Sequence, residues 1–199
     1  MSNNAALIKK IATAGIMLAI IIIMQLLKNV VPAEASGSVI NAVLAIVTIN
    51  LGIWWGLGFC LLTPITSILV AFASPMTTLT YITFGLNIPI IALGNFIFVF
   101  LAKLGHDLYL KYKEQKLWLW TIIFITLIAL GAVAKFLFMW GSAKWIIEPI
   151  FKDKLDDPTT KVLYALFSLT QLIAGLISVP IVYALTLAID KFTNNSVNK

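Results

Sequence analysis

Few residues in this chain could do chemistry, and Lys135 stands first among them. It lies within the long apolar run from Leu117 to Trp140. A charge inside a membrane span is costly and points by default to function. Lys135 is also five residues before Trp140, or roughly 7.5 Å along a helix. Its ammonium could therefore equally well snorkel to the interface. Other runs carry polar residues at helical spacing. Tyr164, Ser168, Gln171, Gly175 and Ser178 form one stripe, and Asn41, Ala45, Thr48 and Gly52 form another. Asn87 and Asn95 lie about two turns apart, with Ile91 between them. Helix–helix hydrogen bonds, worth about 0.6 kcal/mol each, could account for any two of these side chains. Tyr164, Ser168, Gln171, Asn87, Asn41 and Lys135 at one depth instead suggest a polar cavity. Lys135 could there pair with a carboxylate or phosphate, while Trp140, Tyr81 and Tyr164 could stack on a flat ring.

Other chemistries lack their parts. The sequence has no G-x-x-x-x-G-K-[ST] phosphate loop. His106 is the single histidine, read here as a solvated connector residue, so no metal site is expected. No Ser/His or Cys/His pair can be assembled within the apolar runs, and their interiors carry no carboxylate for acid–base work. No catalytic residue, cofactor or enzymatic activity is expected. The one cysteine, Cys60, precludes an internal disulfide.

The elements that must position these residues are membrane helices. Of 199 residues, 61% are hydrophobic and 11% charged, with a mean hydropathy of +1.01. Soluble domains are nearer half apolar and a quarter charged. The apolar runs are continuous rather than alternating, which favours helices over a barrel. At about 20 residues per crossing, the length leaves room for roughly six spans in one membrane domain. The net charge of +6 comes from lysine alone. No soluble segment interleaves aromatic and basic residues, so nucleic acid is not an expected partner.

The expected spans run over about 5–27, 38–53, 54–72, 83–104, 117–140 and 158–190. In the first, Gly15 and Ala19 are four apart, spacing that suits close helix packing within this chain or against a partner. Ala33-Glu34-Ala35 faintly resembles a signal-peptidase site, but the preceding apolar stretch is long for a signal and is read as a helix. Residues 28–37 form a polar loop. Leu51-Gly52-Ile53-Trp54-Trp55-Gly56-Leu57-Gly58 reads as a tight uncharged turn with interfacial tryptophans. Residues 73–78 read as a loop, 105–116 as a charged connector, and 141–157 as a connector with an interfacial or lid-like portion. Asp157 is the expected N-cap of the sixth helix, with Pro158 at its first position. That helix would be roughly 50 Å long. Pro64 and Pro180 are expected to kink their helices.

Lysine counting sets the orientation. With six spans both termini share a side with Lys9, Lys10, Lys103, Lys111, Lys113, Lys116, Lys191 and Lys199, opposed by only Asp107, Glu114 and Asp190. Lys28, Lys144, Lys152, Lys154 and Lys161 on the other side are matched by acids. Both termini are therefore expected in the cytoplasm, and the polar cluster in the outer half.

The layout resembles the substrate-binding S components of energy-coupling factor transporters. Leu51-Gly52-Ile53-Trp54-Trp55-Gly56 resembles the L-G-x-x-x-G turn between their second and third helices. Gly15-Ile16-Met17-Leu18-Ala19 stands where they often carry Ala-x-x-x-Ala for docking on a coupling subunit. The resemblance implies a multi-pass protein of the bacterial cytoplasmic membrane that captures a vitamin or related micronutrient at the outer face. It further implies a transmembrane coupling subunit and two ATPase subunits as partners, with loops after the first, third and fifth spans covering the ligand. On this reading Lys135, Asn87, Gln171, Tyr164, Ser168 and Asn41 hold the ligand's polar groups and Trp140 its ring. A membrane assembly or scaffold subunit and a self-sufficient secondary carrier are the competing classes.

Overall fold

A computed structural model describes residues 3–27, 30–70 and 75–197, and their architecture is built around one buried helix. That helix, α2 (Ala33–Leu51), is buried along most of its length, including Asn41, Ala45 and Thr48. Against it pack α1 (Asn3–Leu26), α3 (Ile53–Val70), α5 (Asn87–Tyr112) and α9 (Leu169–Val197). The remaining helices are α4 (Pro75–Ile82), α6 (Leu117–Ser142), α7 (Glu148–Phe151) and α8 (Asp157–Phe167). There is no strand among the described residues. Six helical stretches, over 4–26, 33–51, 53–70, 87–112, 117–154 and 157–191, are long and apolar enough to cross a membrane. All but the central 33–51 helix present large apolar side chains outward, as a lipid-facing surface requires.

A single residue separates α2 from α3. Gly52 adopts φ 107°, which disfavours any side chain. Its N–H bonds to Thr48 O, and Gly56 N–H bonds back to Gly52 O. A Cβ on Gly56 would lie 2.1 Å from Thr48 Oγ1, so the two helices can meet closely only with glycine there. Gly58 faces open space and contributes nothing to the reversal. Trp54, 81% exposed, stands at this end of the bundle.

Several boundaries differ from the sequence reading. The second helix begins at Ala33 rather than near Ser38, because Ser36 and Ser38 return their hydroxyls to Ala33 O and Ala35 O instead of breaking the turn. Residues 75–82 form α4 rather than loop, while 71–74 and Lys28 lie outside the described residues. The fourth span starts at Asn87 after a turn through Phe84 (φ 48°) and Gly85 (φ 82°). It continues to Tyr112, so the supposed connector is largely helix. His106 is accordingly buried, 4% exposed, against Phe124 and 3.1 Å from Asp190.

The fifth span also continues past Trp140. A π-helical turn, Ala143–Ile147, carries it into α7, with Glu148 N–H bonding five residues back to Ala143 O. Pro149 follows and cannot donate, which suits a widened register just before it. The sixth helix is interrupted at Ser168, whose φ of −108° and ψ of −149° are not helical. Its N-cap is Asp156 rather than Asp157; the Asp156 carboxylate accepts from Thr159 N–H at 2.9 Å. No glycine or proline marks the break. Leu163 and Phe167 of α8 are drawn into a cluster with Leu79, Ile90, Met139, Ala143 and Ile147, while α9 packs on α2 and α6.

Candidate functional site

With antiparallel connections, the ends of α1, α3 and α6 meet the starts of α2, α5 and α9 at one end of the bundle, opposite Gly52, the start of α1 and the end of α9. There the helices enclose a cavity of about 440 Å³. That lies within the size range of small-molecule sites. Its walls are mainly apolar, with Ile40, Pro64, Ile91, Met139, Leu166 and Ala174 prominent. Among the described residues no acidic side chain lines it.

Lys135 is the cavity's only cation among the described residues and is 3% exposed. Its Nζ donates to Asn41 Oδ1 at 2.7 Å, and among the described residues it forms no salt bridge. The ammonium is therefore held inside the bundle rather than snorkelling. Because lysine only donates, the Asn41 amide must turn its oxygen to it. Asn41 Nδ2 is left buried without a partner. Gln25 is oriented by the same logic. Its Nε2 donates to Thr63 O at 2.9 Å, which leaves Oε1 buried and unpartnered. Helix starts (α2, α9) and helix ends (α1, α3) both converge here, so their dipoles oppose one another. Lys135 supplies the net charge.

Of the residues singled out from sequence, Lys135, Asn41 and Gln171 come together around this cavity. The other four are placed outside its lining. Asn87 Nδ2 donates to Thr80 Oγ1 at 2.9 Å and its Oδ1 lies 3.2 Å from Thr83 Oγ1, so it fastens the α4–α5 turn. The Tyr164 hydroxyl donates to Glu148 and ties α8 to α7. Ser168 occupies the α8–α9 break, which divides the expected polar stripe between two helices. Trp140 stands edge-on to Trp145 at 5.8 Å with Lys144 over its face, an interfacial cluster. Tyr81 is exposed. Gly15 and Ala19 are also exposed, and a Cβ on Gly15 would meet nothing, so this face of α1 points away from the bundle.

Sequence reasoning missed Gln25, and it noted Asn95 without assigning it to the site; both are buried and line the cavity. Gln25 continues the buried side of α1 set by Ala14 and Ile21, at spacings of seven and four. That periodicity was the available signal. Among the described residues the elements adjoining the cavity here are helical rather than loop-like, while 28–29 and 71–74, in two of the three expected covering loops, lie outside them. The apolar cluster of α4, α6, the π-helical turn, α7 and α8 adjoins the cavity at Met139. Phe84 reaches this cover too, 6.2 Å from Phe151 and beneath Lys154.

Among the described residues no three His, Cys, Asp or Glu side chains are grouped to hold a metal. Comparison with protein-family models, curated proteins and solved structures finds no match.

Proposed function

We propose that this chain is a membrane-embedded capture subunit of the energy-coupling factor type. It binds a vitamin or related micronutrient at the outer face of a bacterial cytoplasmic membrane and performs no chemistry on it. A separate transmembrane subunit and two ATPases supply the energy, consistent with the lack of a phosphate loop in this sequence. Both termini and the Gly52 turn face the cytoplasm, and the cavity opens toward the outside. The outward face of α1 around Gly15 and Ala19 meets the coupling subunit.

One observation carries the reading. A buried lysine with no acidic partner lines a largely apolar cavity together with amide groups left unpaired. A packing subunit has no use for such an arrangement, because each unpaired buried group costs about 1–3 kcal/mol. Reconstitution tests the proposal. Protein in liposomes together with the membrane and ATPase subunits that co-purify with it should accumulate a water-soluble vitamin or precursor only with ATP. Accumulation by this chain alone, without ATP, would favour a secondary carrier. Failure to bind any small molecule would favour an assembly subunit.

A further inference from the structure

Resting on that capture reading, we propose that the molecule held at Lys135 is a small monocarboxylate that also carries an N–H or O–H donor. The charge count over the described residues disfavours the other broad classes. Among the described residues, Lys135 is the only charged one lining the cavity. A neutral ligand would leave that ammonium without a counter-charge, and a cationic ligand would meet a like charge in a buried site. A phosphate monoester carries about −1.5 to −2 at neutral pH, more than one ammonium can neutralise. A single negative charge closes the balance.

Hydrogen bonding narrows the anion further. The Lys135 ammonium has three donors, of which Asn41 Oδ1 takes one. Asn41 Nδ2 is a neighbouring donor with no partner. Two donor groups side by side match the two oxygens of a carboxylate, one oxygen for each. Elsewhere on the lining, Gln25 Oε1 is an acceptor with no partner, its orientation fixed by Thr63 O. It calls for a donor on the ligand. Between these polar points Ile40, Ile91, Met139 and Leu166 receive an apolar body.

Native mass spectrometry of protein purified from cell membranes, after exposure to a total metabolite extract, tests this. Wild type should retain a molecule that proves to be a singly charged carboxylic acid. Asn41→Asp should lose it by 100-fold or more, because the new carboxylate occupies the Lys135 ammonium from within. Thermal stability of that variant should be unchanged or higher, which separates lost binding from lost folding. Lys135→Met should lose the ligand likewise. A retained ligand that is neutral, cationic, phosphorylated or a sulfonate would overturn the carboxylate assignment while leaving capture intact. Undiminished retention by folded Asn41→Asp would overturn it too. If wild type retains nothing, capture itself fails, and this assignment with it.

Discussion

At the scale of single residues, Lys135 and Asn87 show how differently two buried polar side chains can be used. Among the described residues Lys135 meets a neutral amide and no acid, so its pairing there is incomplete. Asn87 is fully buried and bonds within its own turn, to Thr80 and Thr83. Asn87→Ala should therefore lower unfolding stability by about 1–3 kcal/mol, through loss of buried hydrogen bonds, without changing ligand affinity in the folded fraction. Denaturant titration in detergent with parallel ligand binding checks this; weakened binding in folded protein would place Asn87 in the site after all. From sequence both were assigned to the ligand, since each is a polar residue in the outer half of an expected span. What separates them is where Thr80 and Thr83 lie, and that depends on a turn whose Phe84 and Gly85 both take positive φ. Gln25 was hidden for a related reason. One polar residue near a helix end reads as interfacial until α3 brings Thr63 O against it.

At the scale of elements, the reversal between α2 and α3 was the most legible feature, because glycine spacing and tryptophans mark it locally. The structure divides its glycines by task. Gly56→Ala forces a methyl group onto Thr48 and should cost about 1–3 kcal/mol through overpacking. Gly58→Ala enters open space inside a helix and should be neutral or stabilising by up to about 1 kcal/mol. Thermal unfolding of the two variants side by side reads the contrast, and equal effects would contradict the close approach at Gly56. The break at Ser168 was not legible, because it follows from Leu163 and Phe167 joining one cluster while α9 joins another. The start of α8 carries a pH dependence. Hydrogen bonds from Thr159, side chain first and then backbone, hold the Asp156 carboxyl below its ordinary value. The cap is therefore complete above the unfolded-state carboxyl pKa of about 3.9 and is lost as pH falls through the lower folded value. Hydrogen exchange should show the first turn of α8 opening only in that acid range. An onset near neutral pH would contradict this assignment.

At the scale of the molecule, six helices long and apolar enough to cross a membrane were readable because hydrophobic runs are local properties. Which polar residues share a cavity was not, since that depends on how the other five spans rotate relative to α2. The proposed orientation makes its own prediction: a reporter fused after Lys199 should be shielded from externally added protease in intact cells. Cleavage there would invert the topology and turn the Lys135 cavity toward the cytoplasm. The central claim is that the Lys135 cavity receives a small molecule. An experimental density map of protein purified from its own membrane and exposed to metabolite extract tests it most directly. Density for a bound molecule is expected within about 3 Å of Lys135 Nζ, with Asn41 still alongside. A collapsed cavity, with the lysine extended to the membrane interface, would contradict it.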